Sequence, residues 1–228
     1  MALYAISDLH LPLGVNKPMD IFGSKWENYV ERLFGNWQSI VKSNDTVVLP
    51  GDFSWATYIN DAKKDFEYLN KLNGKKILLK GNHDYWWETM SKMKKFLAEN
   101  GFDSISILQN NSYLYKDIAI CGTRGWIITG NADDKMIYER EYGRLELSLK
   151  SAPPDKRKFV FLHYPPILPN NSENPIIELM KKYNVEKCIY GHLHAKSSEK
   201  AVKGDVGGIK YLLVSCDYLG FMPIKLSD

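Results

Sequence analysis

Cysteine is scarce in this chain. Cys121, Cys188 and Cys216 are odd in number, lie far apart and form no C-x-x-C pair, which argues against a disulfide framework and against a cysteine zinc site. Long apolar runs are missing too: no stretch approaches the roughly 20 residues that a membrane span requires. The opening residues "ALYAISDLH" carry neither a basic n-region nor a long h-region, so no signal peptide is expected and the expected location is cytoplasmic. Charge of one sign is also lacking. The formal net charge is +3, and the lysines come as scattered pairs (Lys63-Lys64, Lys75-Lys76, Lys181-Lys182) that read as solvated helix faces. No membrane surface is expected as a partner, and nucleic acid is not the favoured one. Histidine is the last scarcity, with five residues in 228.

What is present is ordinary for a globular protein: 44% hydrophobic and 25% charged residues. Residues 1–228 are expected to form one domain. A core of that size buries roughly 70% of the surface of the unfolded chain without staples. Short apolar strands are expected at Ala2–Ser7, Thr46–Leu49, Lys76–Leu79, Phe159–Leu162 and Cys188–Tyr190, with strands and an Asn-Asn turn within "SISILQNNSYLYKDIAICGT". Two further β segments surround "GDVGG" and end near Ser215. Helical spacing of Trp26, Tyr29, Val30, Leu33, Phe34, Trp37, Ile40 and Val41 predicts a helix opened by a Ser24–Glu27 capping box. Further helices are expected at about Asn60–Leu72, Glu88–Asn100, Asp134–Lys150 and Pro175–Lys182, the last opened by Asn174-Pro175. Alternation of strands and helices makes this an α/β chain.

The polar residues fall at the strand ends. The first strand runs into Asp8-x-His10 and the second into Gly51-Asp52. The third runs into Gly81-Asn82-His83-Asp84, another into His163, and another into Gly191-His192-x-His194. All five histidines occupy these positions. A lone strand-end histidine is more often a satisfied core or surface group, and Gly-Asp is common turn chemistry. Five such ends at once, with no histidine elsewhere, favour a single crevice at the carboxyl ends of the strands. Imidazole, carboxylate and amide together suit transition metals such as Mn²⁺, Fe or Zn²⁺. The donors outnumber what one ion with an open position needs, so a pair of ions about 3.5–4 Å apart is expected. Such a pair holds a hydroxide and clamps phosphate oxygens.

These blocks, in this order, resemble the signature of the calcineurin-like metallophosphoesterase superfamily. "KPMDIFGSKW", the Trp86-Trp87 pair and "CGTRGW" further resemble a bacterial branch of predicted phosphohydrolases. The resemblance implies two mixed β-sheets packed as a sandwich, flanked by helices around a βαβαβ core, and two divalent metal ions (Mn²⁺, Fe²⁺/Fe³⁺ or Zn²⁺). It implies that Asp8, His10, Asp52 and His194 bind one ion, and that Asp52 bridges to a second held by Asn82, His163 and His192. It makes His83 the catalytic histidine, contacting phosphate and assisting the leaving group, with Asp84 orienting its ring and favouring its charged form. Gly81 keeps a Cβ out of the tight turn. "GDFSWAT" and "GNHDYWW" lack the phosphate-binding arginine of the protein-phosphatase branch, so that activity is not expected.

The expected function is therefore metal-dependent hydrolysis of a phosphomonoester or phosphodiester, with a small phosphorylated substrate and a nucleotide among the candidates. A metal-dependent nuclease is the alternative within enzymes, and a non-catalytic interaction scaffold is the alternative outside them. The scaffold is disfavoured because every signature residue is in place. Trp86 and Trp87 read first as packing residues. Trp55 and Trp126 stand open between packing and stacking on a base, and Arg124 between a solvated loop and a bidentate phosphate contact.

Overall fold

The computed structural model describes residues 1–169 and 174–228. In chain order its elements are β1 (Leu3–Ala5), α1 (Tyr29–Ile40), β2 (Thr46–Pro50), α2 (Lys63–Lys71), β3 (Lys75–Leu79), α3 (Met90–Glu99), β4 (Ile105–Ile107), β5 (Tyr113–Tyr115), β6 (Ile118–Thr123), α4 (Asp134–Lys150), β7 (Arg157–Leu162), α5 (Pro175–Lys182), β8 (Val185–Tyr190), β9 (Gly204–Val206), β10 (Ile209–Leu213) and β11 (Ile224–Ser227). They form two mixed sheets, ordered β11-β1-β2-β3-β4 and β5-β6-β7-β8-β10-β9. Within each sheet the inner strands are parallel, and β11, β5 and β9 run antiparallel at the edges.

The period of two along a strand explains the layering. Leu3, Ala5, Val48, Ile77, Leu79, Ile118, Ile120, Phe159, Phe161 and Ile189 point between the sheets and make one buried layer. Their neighbours Tyr4, Val47, Leu49 and Leu78 pack with Leu33 and Trp37 of α1, Phe66 and Leu69 of α2, and Met93 and Phe96 of α3. On the other side, Ala119, Cys121, Val160, Leu162, Cys188 and Tyr190 pack with Leu145 and Leu149 of α4 and with Ile176, Leu179 and Met180 of α5. The order is thus helix, sheet, sheet, helix. Strands buried on both faces need unbroken apolar runs such as "FVFL", and that is why the sequence shows little alternation there. Each buried aliphatic or aromatic side chain contributes about 1.5–3 kcal/mol.

The structure corrects one local expectation and adds detail at two other places. The Ser24–Glu27 segment is not a capping box: Ser24–Trp26 forms a single 3-10 turn, Glu27 is extended, and α1 starts after Asn28, whose φ is 50° and whose side chain makes no cap bond. The apolar spacing that began at Trp26 reflects core packing of a turn rather than helix. Asn110-Asn111 does lie between two strands, β4 and β5, but these belong to different sheets; the hairpin is β5–β6, turned at Lys116 with φ 52°. The edge strand β11 was not expected at all. By contrast, α4 and α5 occupy the predicted ranges, and the Asn174 side chain accepts from Ile176 and Ile177 N–H at the start of α5.

Candidate metal centre

The carboxyl ends of β1, β2 and β3 in one sheet and of β7, β8 and β10 in the other meet at one edge of the sandwich. Backbone bonds from Ser7 N–H to Val214 O (2.8 Å) and from Cys216 N–H to Ser7 O (3.0 Å) stitch the two sheets together there. The loops leaving these strands carry unusual backbone. Asp8 (φ 61°), His10 (46°), Asp52 (52°) and His192 (70°) all sit in the left-handed region, where a non-glycine residue costs about 1–3 kcal/mol. Strain of that kind persists only when the surroundings over-determine it. Glycines supply room for the donors: a Cβ on Gly81 would collide with the Asp52 carboxylate, and one on Gly191 with Ser7 Oγ and the Asp8 carboxylate. Gly81 is therefore required by close approach to Asp52, and its φ is not in the left-handed region.

The expected donors fall into two groups with the Asp52 carboxylate between them. On one side, His194 Nε2 is 3.1 Å from Asp8 Oδ1 and 3.4 Å from His10 Nε2. On the other, Asn82 Oδ1 is 2.6 Å from His163 Nε2 and 3.0 Å from His192 Nδ1. Asp52 Oδ2 lies between them, 3.8 Å from His10 Nε2 and 3.4 Å from His163 Nε2. Asp8, His10 and His194 form one Asp/His group whose geometry could hold a metal ion, and Asp8, Asp52 and His163 form another. The donor set fits a cation chemically. Ring nitrogens face one another at 3.3–3.4 Å (His192 Nδ1 to His163 Nε2, His10 to His194) and face carboxylate and amide oxygens, an arrangement that a shared positive ion satisfies better than protons do.

The charges are strongly displaced. Burial works against the Asp8 carboxylate, yet His194, His163 and His10 together hold it well below the usual range. Burial, followed by the charges of Asp84 and Asp8, pushes Asp52 well up. Burial lowers His10, His192 and His83, and takes His163 down to about 3. For His194, burial is outweighed by Asp8 and Asp217, and its value rises to about 10. Opposed shifts among carboxyls and imidazoles in one buried cluster are characteristic of functional sites.

Outer contacts hold these side chains. His163 Nδ1 meets Pro50 O at 3.1 Å, and His194 Nδ1 meets Asp217 Oδ1 at 2.9 Å. Asp217 was missed by the sequence reading, although its place just beyond a strand followed the same rule as the expected ligands. Tyr164 lies ring to ring with His192 at 4.3 Å.

Asp84 corrects an expectation. Its carboxylate accepts from the N–H groups of Asp52 (2.9 Å), Phe53 (2.9 Å), Ser54 (3.4 Å) and Gly81 (2.7 Å) and from Trp86 Nε1 (3.1 Å). Among the described residues none of its hydrogen bonds goes to the His83 ring, and burial lowers rather than raises His83. Asp84 splices the Asp52 loop to the Asn82 loop. His83 is instead held by its own N–H on Asp52 Oδ1 (2.8 Å), with its ring 5.6 Å from that of His10 and 4.8 Å from that of Trp55.

The aromatic candidates separate. Trp86 is buried in the helix-side core and Trp87 packs against it. Trp55 stacks on His10 (4.6 Å, 24°), with Lys17 Nζ 5.2 Å from its ring centroid. Trp126 donates to Asp134 at 2.9 Å, lies 5.0 Å from the Tyr164 ring and lines an apolar recess of about 640 Å³. Arg124 is not a solvated loop residue: its guanidinium lies over Trp126 (4.8 Å) and 3.5 Å from the buried Glu141 carboxylate.

Comparison with known proteins agrees with this architecture. Residues 1–196 match the profile of the calcineurin-like phosphoesterase family. An uncharacterized protein of Methanocaldococcus jannaschii is 30% identical over 134 residues, covering 57% of this chain and 68% of that protein. Among solved structures, a phosphopantetheinyl hydrolase from Mycobacterium tuberculosis superposes with a TM-score of 0.59 at 12% identity, covering 99% of this chain and 95% of the other. A protein of unknown function from Aquifex aeolicus superposes with a TM-score of 0.54 at 20% identity, covering 98% and 95%. At those identities the structural likenesses show the fold alone.

Proposed function

The chain belongs to the calcineurin-like phosphoesterase family, and on that premise we propose that residues 1–228 act as one domain that hydrolyses a small phosphomonoester or phosphodiester with the help of two divalent metal ions. The observation that carries this reading is the pair of donor groups meeting at Asp52 Oδ2. Asp8, His10, Asp52 and His194 would hold one ion; Asp52, Asn82, His163 and His192 would hold the other. When bound, such a pair supplies positive charge against phosphoryl oxygens and makes water acidic enough to ionise near neutral pH.

The chain's own residues supply the rest. The His83 backbone is fixed on Asp52 while its ring remains partly open to solvent, so an imidazole N–H can reach a phosphoryl or leaving-group oxygen. A phosphate dianion beside that ring raises its proton affinity, offsetting the lowering by burial. Trp55 holds His10 by stacking, and Asp217 fixes the His194 ring through Nδ1, leaving Nε2 for the centre. No helix among the described residues is long and apolar enough to cross a membrane, and the reading needs none.

The test is hydrolysis of p-nitrophenyl phosphate and bis-p-nitrophenyl phosphate by metal-stripped protein titrated with Mn²⁺. Metal-dependent release of nitrophenolate from either ester is expected. Turnover that ignores added metal and chelator would overturn the reading.

A further inference from the structure

Beside the candidate centre lies a second recess, of about 380 Å³, whose lining includes Lys80, Trp87, Glu88, Arg124, Glu141 and Arg144. None of these is a proposed metal ligand. Glu141 is fully buried on α4; Thr123 Oγ1 donates to its Oε2 at 2.6 Å, and Arg144 Nη1 donates to its Oε1 at 2.7 Å. Arg124 Nη2 reaches the same Oε1 at 3.5 Å. One carboxylate thus anchors two guanidiniums, which between them carry ten N–H donors, and few of those are spent on it. Arg124 Nε is buried without a hydrogen-bond partner. Lys80 lines the recess at the end of β3 and makes no side-chain hydrogen bond or ion pair among the described residues.

Three cations face one buried carboxylate, and the second carboxylate of the lining, Glu88, pairs with Lys92 at 3.0 Å, which leaves an excess of positive charge in a half-enclosed space. Like charges held together in partial burial repel one another, and an anion placed among them removes that cost and fills the free donors. Planar guanidiniums fixed by a carboxylate behind them are suited to phosphate or carboxylate oxygens. The recess also touches the centre through the chain. Lys80 precedes Asn82 by two residues, which keeps their Cα atoms within about 7 Å. Arg124 O accepts both the His163 and the Tyr164 N–H, at 3.0 and 2.9 Å.

We propose that this recess binds a second anionic group of the substrate, so that the favoured substrates carry a phosphate or carboxylate in addition to the phosphoryl group that reacts. This rests on the phosphoesterase reading for the identity of the reacting group, but the recess itself requires no metal. Glu141 is a positioning residue here: it holds the two guanidiniums in place and does not touch the substrate.

Two measurements test it. First, inorganic phosphate is titrated calorimetrically into metal-stripped wild type, Lys80→Gln and Arg144→Gln, with circular dichroism to verify folding. Saturable binding that weakens at least tenfold in each folded variant is expected; no binding, or equal binding in all three, overturns the anion site. Lys80→Gln leaves the Glu141 pairings intact, so it still decides the matter if Arg144→Gln fails to fold. Second, Mn²⁺-loaded proteins are assayed on adenosine 3′,5′-bisphosphate and adenosine 5′-monophosphate. The ratio of kcat/KM values is expected to favour the bisphosphate in wild type and to fall at least tenfold in Lys80→Gln. An unmoved ratio with good turnover overturns the substrate assignment alone. Failure of wild type to hydrolyse any phosphate ester with metal would sink the phosphoesterase reading, and the phosphate titration would still decide the recess.

Discussion

The two halves of the candidate centre are built from different materials. The half at Asp8, His10 and His194 is rich in charge: Asp8 is fully buried, Asp217 stands behind His194, and Ser7 Oγ donates to the Asp8 carboxylate. The half at Asn82, His163 and His192 brings no carboxylate of its own: it relies on Asp52 and on Asp8, which groups with Asp52 and His163, and its outer support is the Pro50 carbonyl and the Tyr164 ring. Ligand charge raises affinity for a dication. On the proposed reading, the first half holds its ion more tightly and the second half is the exchangeable one, facing the side where Lys80 and Arg124 lie. On that reading fixed charge gives retention, neutral donors give access, and Asp52 couples the two.

Removing the coupling has the largest expected effect. Asp52→Asn removes the carboxylate that lies between the two donor groups, 3.8 Å from His10 Nε2 and 3.4 Å from His163 Nε2. Metal-dependent hydrolysis should vanish, and plasma mass spectrometry should find less than one tightly held ion per chain. Retention of two would mean that Asp52 does not join the halves.

His83→Ala separates chemistry from metal. The expected loss is about 10²–10⁴-fold in kcat, the range for one positioned acid–base group, with metal content equal to wild type. A loss that tracks metal content instead would make His83 a structural part of the site.

Asp217→Asn touches one half only. Loss of a carboxylate behind a metal-ligating imidazole weakens binding about 10–100-fold. The effect should appear in the tighter step of an Mn²⁺ titration and leave the weaker step in place, narrowing the difference between them. Equal weakening of both steps would break the comparison drawn above.

The smallest effect is on stability. Asp84 lies at the seam and takes four backbone N–H groups and the Trp86 indole. Asp84→Asn keeps an acceptor but loses the charge, and a cost of about 1.5–3 kcal/mol is expected from urea denaturation. An unchanged midpoint would show that the loops are held by other contacts.

The sequence was most informative where a residue type was rare and its position unusual. Five histidines, each just after a strand, marked the edge of the sheets where the loops converge, and Asp8, Asp52 and Asn82 shared their blocks. The range of α5 was legible because the Asn174-Pro175 cap agreed with the fold, and α4 also occupies its predicted range. Trp26 misled because a 3-10 turn can bury an indole at the same spacing as a helix. Two-sheet closure was not legible from the strands themselves, since runs buried on both faces do not say which neighbour covers them; it came from the family resemblance. The family resemblance implied that Asp84 orients His83, but the tight turn points its carboxylate at backbone donors of Asp52 and Gly81. Glu141 gave no signal at all, being one acid among many on a helix until Arg124 and Arg144 are seen to meet on it.

The central claim is that Asp52 joins two metal sites into one centre. The most direct measurement is manganese content and electron paramagnetic resonance of protein stripped of metal, reloaded with Mn²⁺ and freed of excess by gel filtration. The account predicts two ions per chain and the many-line spectrum of an exchange-coupled pair. One ion per chain, or two with only the six-line spectrum of isolated Mn²⁺, would contradict it.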